Sequence, residues 1–135
     1  MAHIKVNYLG ELRTQAEHLK SKEKLITDAP PDNNGKGEAF SPSDLVCSSL
    51  ASCMITIMGM VAQRENLDIK GLSAEVTKVM VANPRKISEI KIDFLMPGNV
   101  SLTEKQKEVL KRAAHTCPVA LSIHPEIKQI VSFNF

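Results

Sequence analysis

Apolar and polar residues alternate from the start of the chain. Ile4, Val6 and Tyr8 are interleaved with Lys5 and Asn7, and beyond Gly10 the pattern resumes with Leu12, Thr14 and Ala16 against Arg13, Gln15 and Glu17. A period of two broken by a glycine predicts an antiparallel hairpin, and Lys24 to Thr27 predicts a third short strand. Asp28 to Gly37 is rich in Pro, Asn and Gly and predicts a surface loop. The pattern then turns helical. Ser41 suits the N-cap, Pro42 the first helical position, and Asp44 the site where a carboxylate meets unpaired amides and the positive dipole end. This helix should run to about Asn66. Leu45, Leu50, Met54, Ile55, Ile57, Met58 and Val61 spread round most of its circumference, which predicts burial on several sides, between sheets or between subunits.

Alternating segments from Leu72 to Ala82 and from Ile87 to Met96 flank Asn83-Pro84-Arg85-Lys86, turn chemistry for a long antiparallel hairpin that Pro97-Gly98 ends. Thr103 and Gln106 form a capping-box pair, and Val109, Leu110 and Ala113 give the following helix an apolar stripe among charged residues. Cys117-Pro118 opens a short third helix through about Ser122, and Ile127 to Phe135 predicts a closing strand. The order of strands, helix, strands, helices and strand predicts an α+β fold with a largely antiparallel sheet, in a single domain over residues 1–135.

Length and composition narrow this picture. A chain of 135 residues can bury one sizeable core. With 43% hydrophobic residues, 24% charged residues and a formal net charge of +2, it reads as an ordinary soluble globular protein. So mild a charge argues against nucleic acid as a partner, because phosphate binding wants a concentrated basic face. The run from Leu45 to Ala62 is uncharged and long enough to be tested as a membrane span. Ser48, Ser49, Ser52, Thr56 and Gly59 weaken that reading, and the flanking strands need a core, so a buried soluble helix is expected and no membrane association. The alternating N-terminus lacks an apolar signal core, which points to the cytoplasm. Three cysteines are too few, and odd in number, for a secreted disulfide framework.

The cysteines carry the candidate chemistry. Cys117 precedes Pro118 at a helix start, where amides and dipole would lower its pKa and make it the more reactive thiol. Cys53 lies among aliphatic residues, and it is either a small core residue or a nucleophile that needs a cation from elsewhere in the fold. Cys47, about 120° around the helix from Cys53, is expected to be core. Two further readings stay open. His115, Cys117 and His124 would supply three zinc ligands without a firm fourth, and the Cys117-Pro118 pair would serve redox sensing or sulfur transfer with Cys53 structural.

The segment Ser41-Pro42-Ser43-Asp44 through Ala51-Ser52-Cys53-Met54 resembles the central-helix signature of the osmotically inducible protein C and organic hydroperoxide resistance (OsmC/Ohr) family, with a Pro near the helix start and a small-small-Cys triplet further on. His115-Thr116-Cys117-Pro118-Val119 resembles the second-cysteine motif of that family, and the spacing of the two agrees. The resemblance covers nearly the whole chain. It implies an OsmC-like fold, with antiparallel sheets around a long buried central helix, in an intertwined homodimer. It also implies a thiol peroxidase for organic hydroperoxides that needs no metal or other cofactor. Cys53 would then be the peroxidatic thiolate, Cys117 the resolving thiol and a dithiol, such as a lipoyl group, the reductant. Arg13 stands where the family places the arginine that holds the thiolate ionised. The glutamate that pairs with that arginine is replaced here by Ser43, leaving Asp44 or Glu38 as substitutes. The apolar surround of Cys53 would favour a greasy peroxide over hydrogen peroxide.

Overall fold

A computed structural model describes all residues, Met1–Phe135, as an α+β protein in two compact units, Met1–Val46 and Cys47–Phe135. The first unit is an antiparallel sheet of β1 (Ile4–Gly10), β2 (Arg13–His18) and β3 (Lys24–Asp28), in that spatial order. Glu11 and Leu12 form the turn between β1 and β2 with φ of 54° and 62°. Two left-handed residues are what the twist of a tight hairpin requires, and neither is the glycine that would adopt them freely. The register puts Val6 opposite Ala16 and Ala16 opposite Leu25, so Ile4, Val6, Tyr8 and Leu25 share a face. That face is open: Val6 is 60% and Tyr8 67% exposed.

The loop after β3 folds back on itself. Gly35 donates its amide to the Pro30 carbonyl, and a Cβ at Gly35 would run into the Ala29 carbonyl, so no larger residue fits. The central helix α1 (Pro42–Arg64) begins as the residue pattern predicts. The Asp44 amide donates to Ser41 Oγ at 3.1 Å and the Ser41 amide to Asp44 Oδ2 at 3.0 Å, a reciprocal cap.

In the second unit, β4 (Ser73–Val81), β5 (Lys86–Leu95) and β6 (Lys128–Asn134) form a sheet in that order. Helices α2 (Glu104–Ala114) and α3 (Pro118–Ser122) connect β5 to β6. The β4–β5 hairpin is antiparallel as expected, but β6 runs parallel to β5. A connection that carries two helices returns the chain to the starting end of β5, which a parallel partner needs and a short turn cannot supply. Ile90, Ile92 and Phe94 of β5 are fully buried and cluster with Leu50, Met54 and Met58 of α1 and with Leu110 and Ala114 of α2. The Phe94 and Phe133 rings stack at 5.3 Å.

Within one chain α1 is buried along a single stripe, Cys47, Leu50, Ala51, Met54, Met58, Val61 and Ala62, and not on several sides. These positions recur every three or four residues, so one face meets the core. Val46 is 38% and Met60 54% exposed on the remainder. By length and hydropathy α1 could cross a membrane, yet this stripe belongs to the core cluster, the usual place of an apolar helix in a soluble fold.

Candidate functional site

The second unit brings two cysteines together. Cys53 lies midway along α1, partly exposed and packed against the core. Cys117 is the N-cap of α3 and is fully buried. Its extended backbone (φ −66°, ψ 141°) turns the sulfur back over the first helical turn, where Sγ accepts the Ala120 amide at 3.2 Å. The two thiols are close enough for Cys53 to act on the protonation of Cys117, and all three cysteines are free. Cys47 sits on the buried stripe at 3% exposure, in the core as expected.

The sequence suggested a buried Cys53 and a Cys117 activated by its helix start; burial is the other way round. Burial pushes the Cys117 thiol above its ordinary value. The amides of Ala120 and Val119 pull it down but do not prevail, and the adjacent Cys53 adds to the rise. The helix-start effect is present, and desolvation outweighs it.

Arg13, in the first unit, is held in a fork. Its Nε donates to Asp28 Oδ1 at 2.7 Å and its Nη2 to Asp28 Oδ2 at 2.8 Å, while Nη2 also donates to Glu38 Oε1 at 2.9 Å. Arg13 and Asp28 face each other directly across the β2–β3 ladder, which fixes this bidentate geometry. The Glu38 amide closes the cluster by donating to Asp28 Oδ2 at 3.1 Å. Asp28 is buried, and the Arg13 guanidinium holds its carboxyl below the ordinary carboxylate value against the cost of burial. Reciprocally, the bond to Asp28 raises the Arg13 pKa. Glu11 pairs with Lys36 at 2.5 Å beside this fork, and the pair lowers the Glu11 pKa.

The fork shows which carboxylates pair with Arg13. Glu38, one of the two candidates, does pair with Arg13. Asp44 instead caps α1 through Ser41, and Ser43 Oγ lies 3.2 Å from Ser41 Oγ. Asp28, the stronger partner, was hidden because it reads as the first residue of a turn-rich loop. Extending the β2–β3 pairing by one residue would have found it opposite Arg13.

The three proposed zinc ligands do not gather. His124 Nδ1 accepts the Glu126 amide, His115 lies edge-on to the Phe133 ring at 5.9 Å, and no group of three His, Cys, Asp or Glu side chains converges to hold a metal ion. What the cysteine pair can do is thiol chemistry: two neighbouring sulfurs of unequal exposure, one of them aligned by a helix cap.

The model of the OsmC-like protein family matches residues 35–132. Among solved structures, the chain is 53% identical to a Psychrobacter arcticus 273-4 protein provisionally described as an osmotic stress induced and detoxification response protein, with a TM-score of 0.95 over 99% of this chain and 96% of that one. Two more distant structures share the fold. An OsmC-like protein from Mycoplasma pneumoniae is 21% identical, with a TM-score of 0.79 over 97% of this chain and 94% of its own. An organic hydroperoxide resistance protein OsmC from Legionella pneumophila is 20% identical, with a TM-score of 0.76 over 100% and 98%. A search of curated proteins finds no match.

Proposed function

The chain belongs to the OsmC-like protein family, and on that premise we propose that it is a cysteine-based thiol peroxidase for organic hydroperoxides, acting in the cytoplasm as an intertwined homodimer. The observation that carries this reading is the proximity of the Cys53 and Cys117 thiols, close enough to interact within one unit of the chain. The name of the Legionella protein, organic hydroperoxide resistance protein, agrees with it.

In this mechanism the Cys53 thiolate attacks one oxygen of the hydroperoxide, the O–O bond breaks, and the departing alkoxide takes up a proton to leave as alcohol. Cys53 becomes a sulfenic acid. The Cys117 thiolate then attacks the Cys53 sulfur and hydroxide departs, leaving as water with the proton Cys117 gave up. A dithiol reduces the resulting disulfide, becoming oxidised itself and restoring both thiols. Burial of Cys117 supports this order, because a thiol held protonated is a poor first nucleophile, whereas the more exposed Cys53 is open to substrate. Arg13 serves the first step. Asp28 and Glu38 engage Nε and Nη2, which leaves Nη1 for the thiolate and the peroxide oxygen. With two carboxylates beside it, the guanidinium contributes aimed N–H donors more than net charge.

Steady-state turnover of an organic hydroperoxide with a dithiol tests the reading. Cys53→Ser is expected to abolish it, Cys117→Ser to stop it after formation of the sulfenic acid, and Arg13→Ala to slow it on the order of 10²-fold. The proposal fails if oxidation of the wild type leaves both thiols free by mass spectrometry.

A further inference from the structure

A second feature of the Cys47–Phe135 unit lies beside the cysteine pair. Between α1 and α2 runs a groove of about 290 Å³, lined by Ile57, Val61, Val109 and Ala113, with Arg64, Arg112 and Thr116 around them. Its size falls at the lower edge of ligand pockets, roughly 300–1,000 Å³, which suits a slender chain better than a ring system.

Both arginines are exposed, and neither makes a side-chain hydrogen bond or an ion pair within the chain. Each stands in the last turn of its helix, where the dipole favours a cation. That accounts for a charge at each position, but not for two uncompensated guanidinium groups lining one apolar groove. Glu108, an acidic neighbour on α2, is engaged by Lys111. Paired guanidinium groups over an aliphatic floor are complementary to a carboxylate on a hydrocarbon tail.

Two lining residues of the groove adjoin the cysteines along the chain. Ile57 is one helical turn beyond Cys53, and Thr116 directly precedes Cys117. At 1.5 Å per residue, Arg64 lies roughly 16 Å along α1 from Cys53. An extended zigzag chain advances about 1.2 Å per bond, so one of roughly a dozen to fourteen carbons covers most of that distance.

We propose that this groove binds a carboxylate-terminated aliphatic chain, with Arg64 and Arg112 holding the head and Ile57, Val61, Val109 and Ala113 the chain, so that the far end lies towards Cys53. The binding site stands on its own geometry. Its use as a substrate site rests on the peroxidase reading.

Calorimetric titration of the full chain with dodecanoate and with dodecanol tests the site. Dodecanoate is expected to bind at least about tenfold more tightly and to weaken with added salt. Arg64→Gln/Arg112→Gln should erase the difference, and Arg64→Lys/Arg112→Lys should restore part of it; both positions are exposed, and circular dichroism checks that the variants fold. Equal binding of acid and alcohol, no binding of either, or an unchanged preference in the Gln variant overturns the site. The same titration on Cys53→Ser separates the two proposals, since carboxylate binding needs no thiol and persists there even if the chain is not a peroxidase. As substrates, a carboxylate-terminated aliphatic hydroperoxide should show a KM at least about tenfold below that of its methyl ester, lost in the Gln variant; equal KM values in the wild type overturn the substrate role.

Discussion

The two sheets of this protein treat their apolar residues in opposite ways. In β5, Ile90, Ile92 and Phe94 alternate with outward polar residues and are completely covered by helices. In β1, Ile4, Val6 and Tyr8 alternate just as regularly, and every one is more than half exposed. Both strands carry the same period-two pattern, so the pattern announces a strand and an apolar face without saying what will cover it. The C-terminal sheet finds its cover within the chain. An apolar face left bare in the N-terminal sheet matches what the proposed homodimer requires, a surface completed by a second copy.

The largest expected effect tests the covered sheet. Phe94→Ala should lower unfolding stability by about 3–5 kcal/mol in urea denaturation, since it empties a fully buried site stacked on Phe133. A loss below about 1 kcal/mol would mean that this core is not the cooperative centre of the fold. The bare sheet should respond differently. Ile4→Lys/Val6→Lys is expected to change the stability of the monomer by no more than about 0.5 kcal/mol per site, as exposed substitutions do, and to halve the mass seen by sedimentation. A dimer that survives the double substitution has its interface elsewhere.

A third effect is confined to acid and to the N-terminal sheet. Because the folded pKa of Asp28 is depressed, chiefly by its bond to Arg13, this carboxylate adds stability above the ordinary value of 3.8. That contribution drains away as pH falls below 3.8 towards the folded pKa. Asp28→Asn should remove this part of the acid dependence, and a thermal melt series from neutral pH to pH 2 checks it; parallel wild-type and variant curves would be the contrary result. Resolution should behave oppositely in alkali. The raised Cys117 pKa means that its thiolate fraction is still growing above the ordinary value of 9.0, so disulfide formation after a peroxide pulse should accelerate through that range. The smallest effect is local: Thr103→Ala should cost about 1 kcal/mol by removing one arm of the α2 capping box.

What was legible in the residues divides along the same line as these effects. The α1 cap at Ser41 and Asp44, the α2 capping box and the helix start at Cys117-Pro118 depend on residues within one turn of each other, and all formed as expected. The direction of β6 depends on where two helices deliver the chain, and no residue within Ile127 to Phe135 encodes that. The candidate site divides likewise. Cys53 and Cys117 stood out through motifs at a particular spacing. The stronger partner of Arg13 did not, because Asp28 acquires its meaning only from a register across two strands, whereas Glu38 was already a candidate. The protonation of Cys117 is not legible in the sequence for a related reason. Helix-start amides are visible in sequence, whereas complete burial is a property of the packed unit.

One consequence follows from the sulfur that caps α3. A helix of five residues has few bonds to spare, and the Ala120 amide relies on Cys117 Sγ as its acceptor. Any chemistry that turns that sulfur towards another atom withdraws the acceptor and loosens the first turn of the helix. The Ala120 N–H is therefore a built-in gauge of thiol state, readable by amide hydrogen exchange or chemical shift without any probe attached to a cysteine.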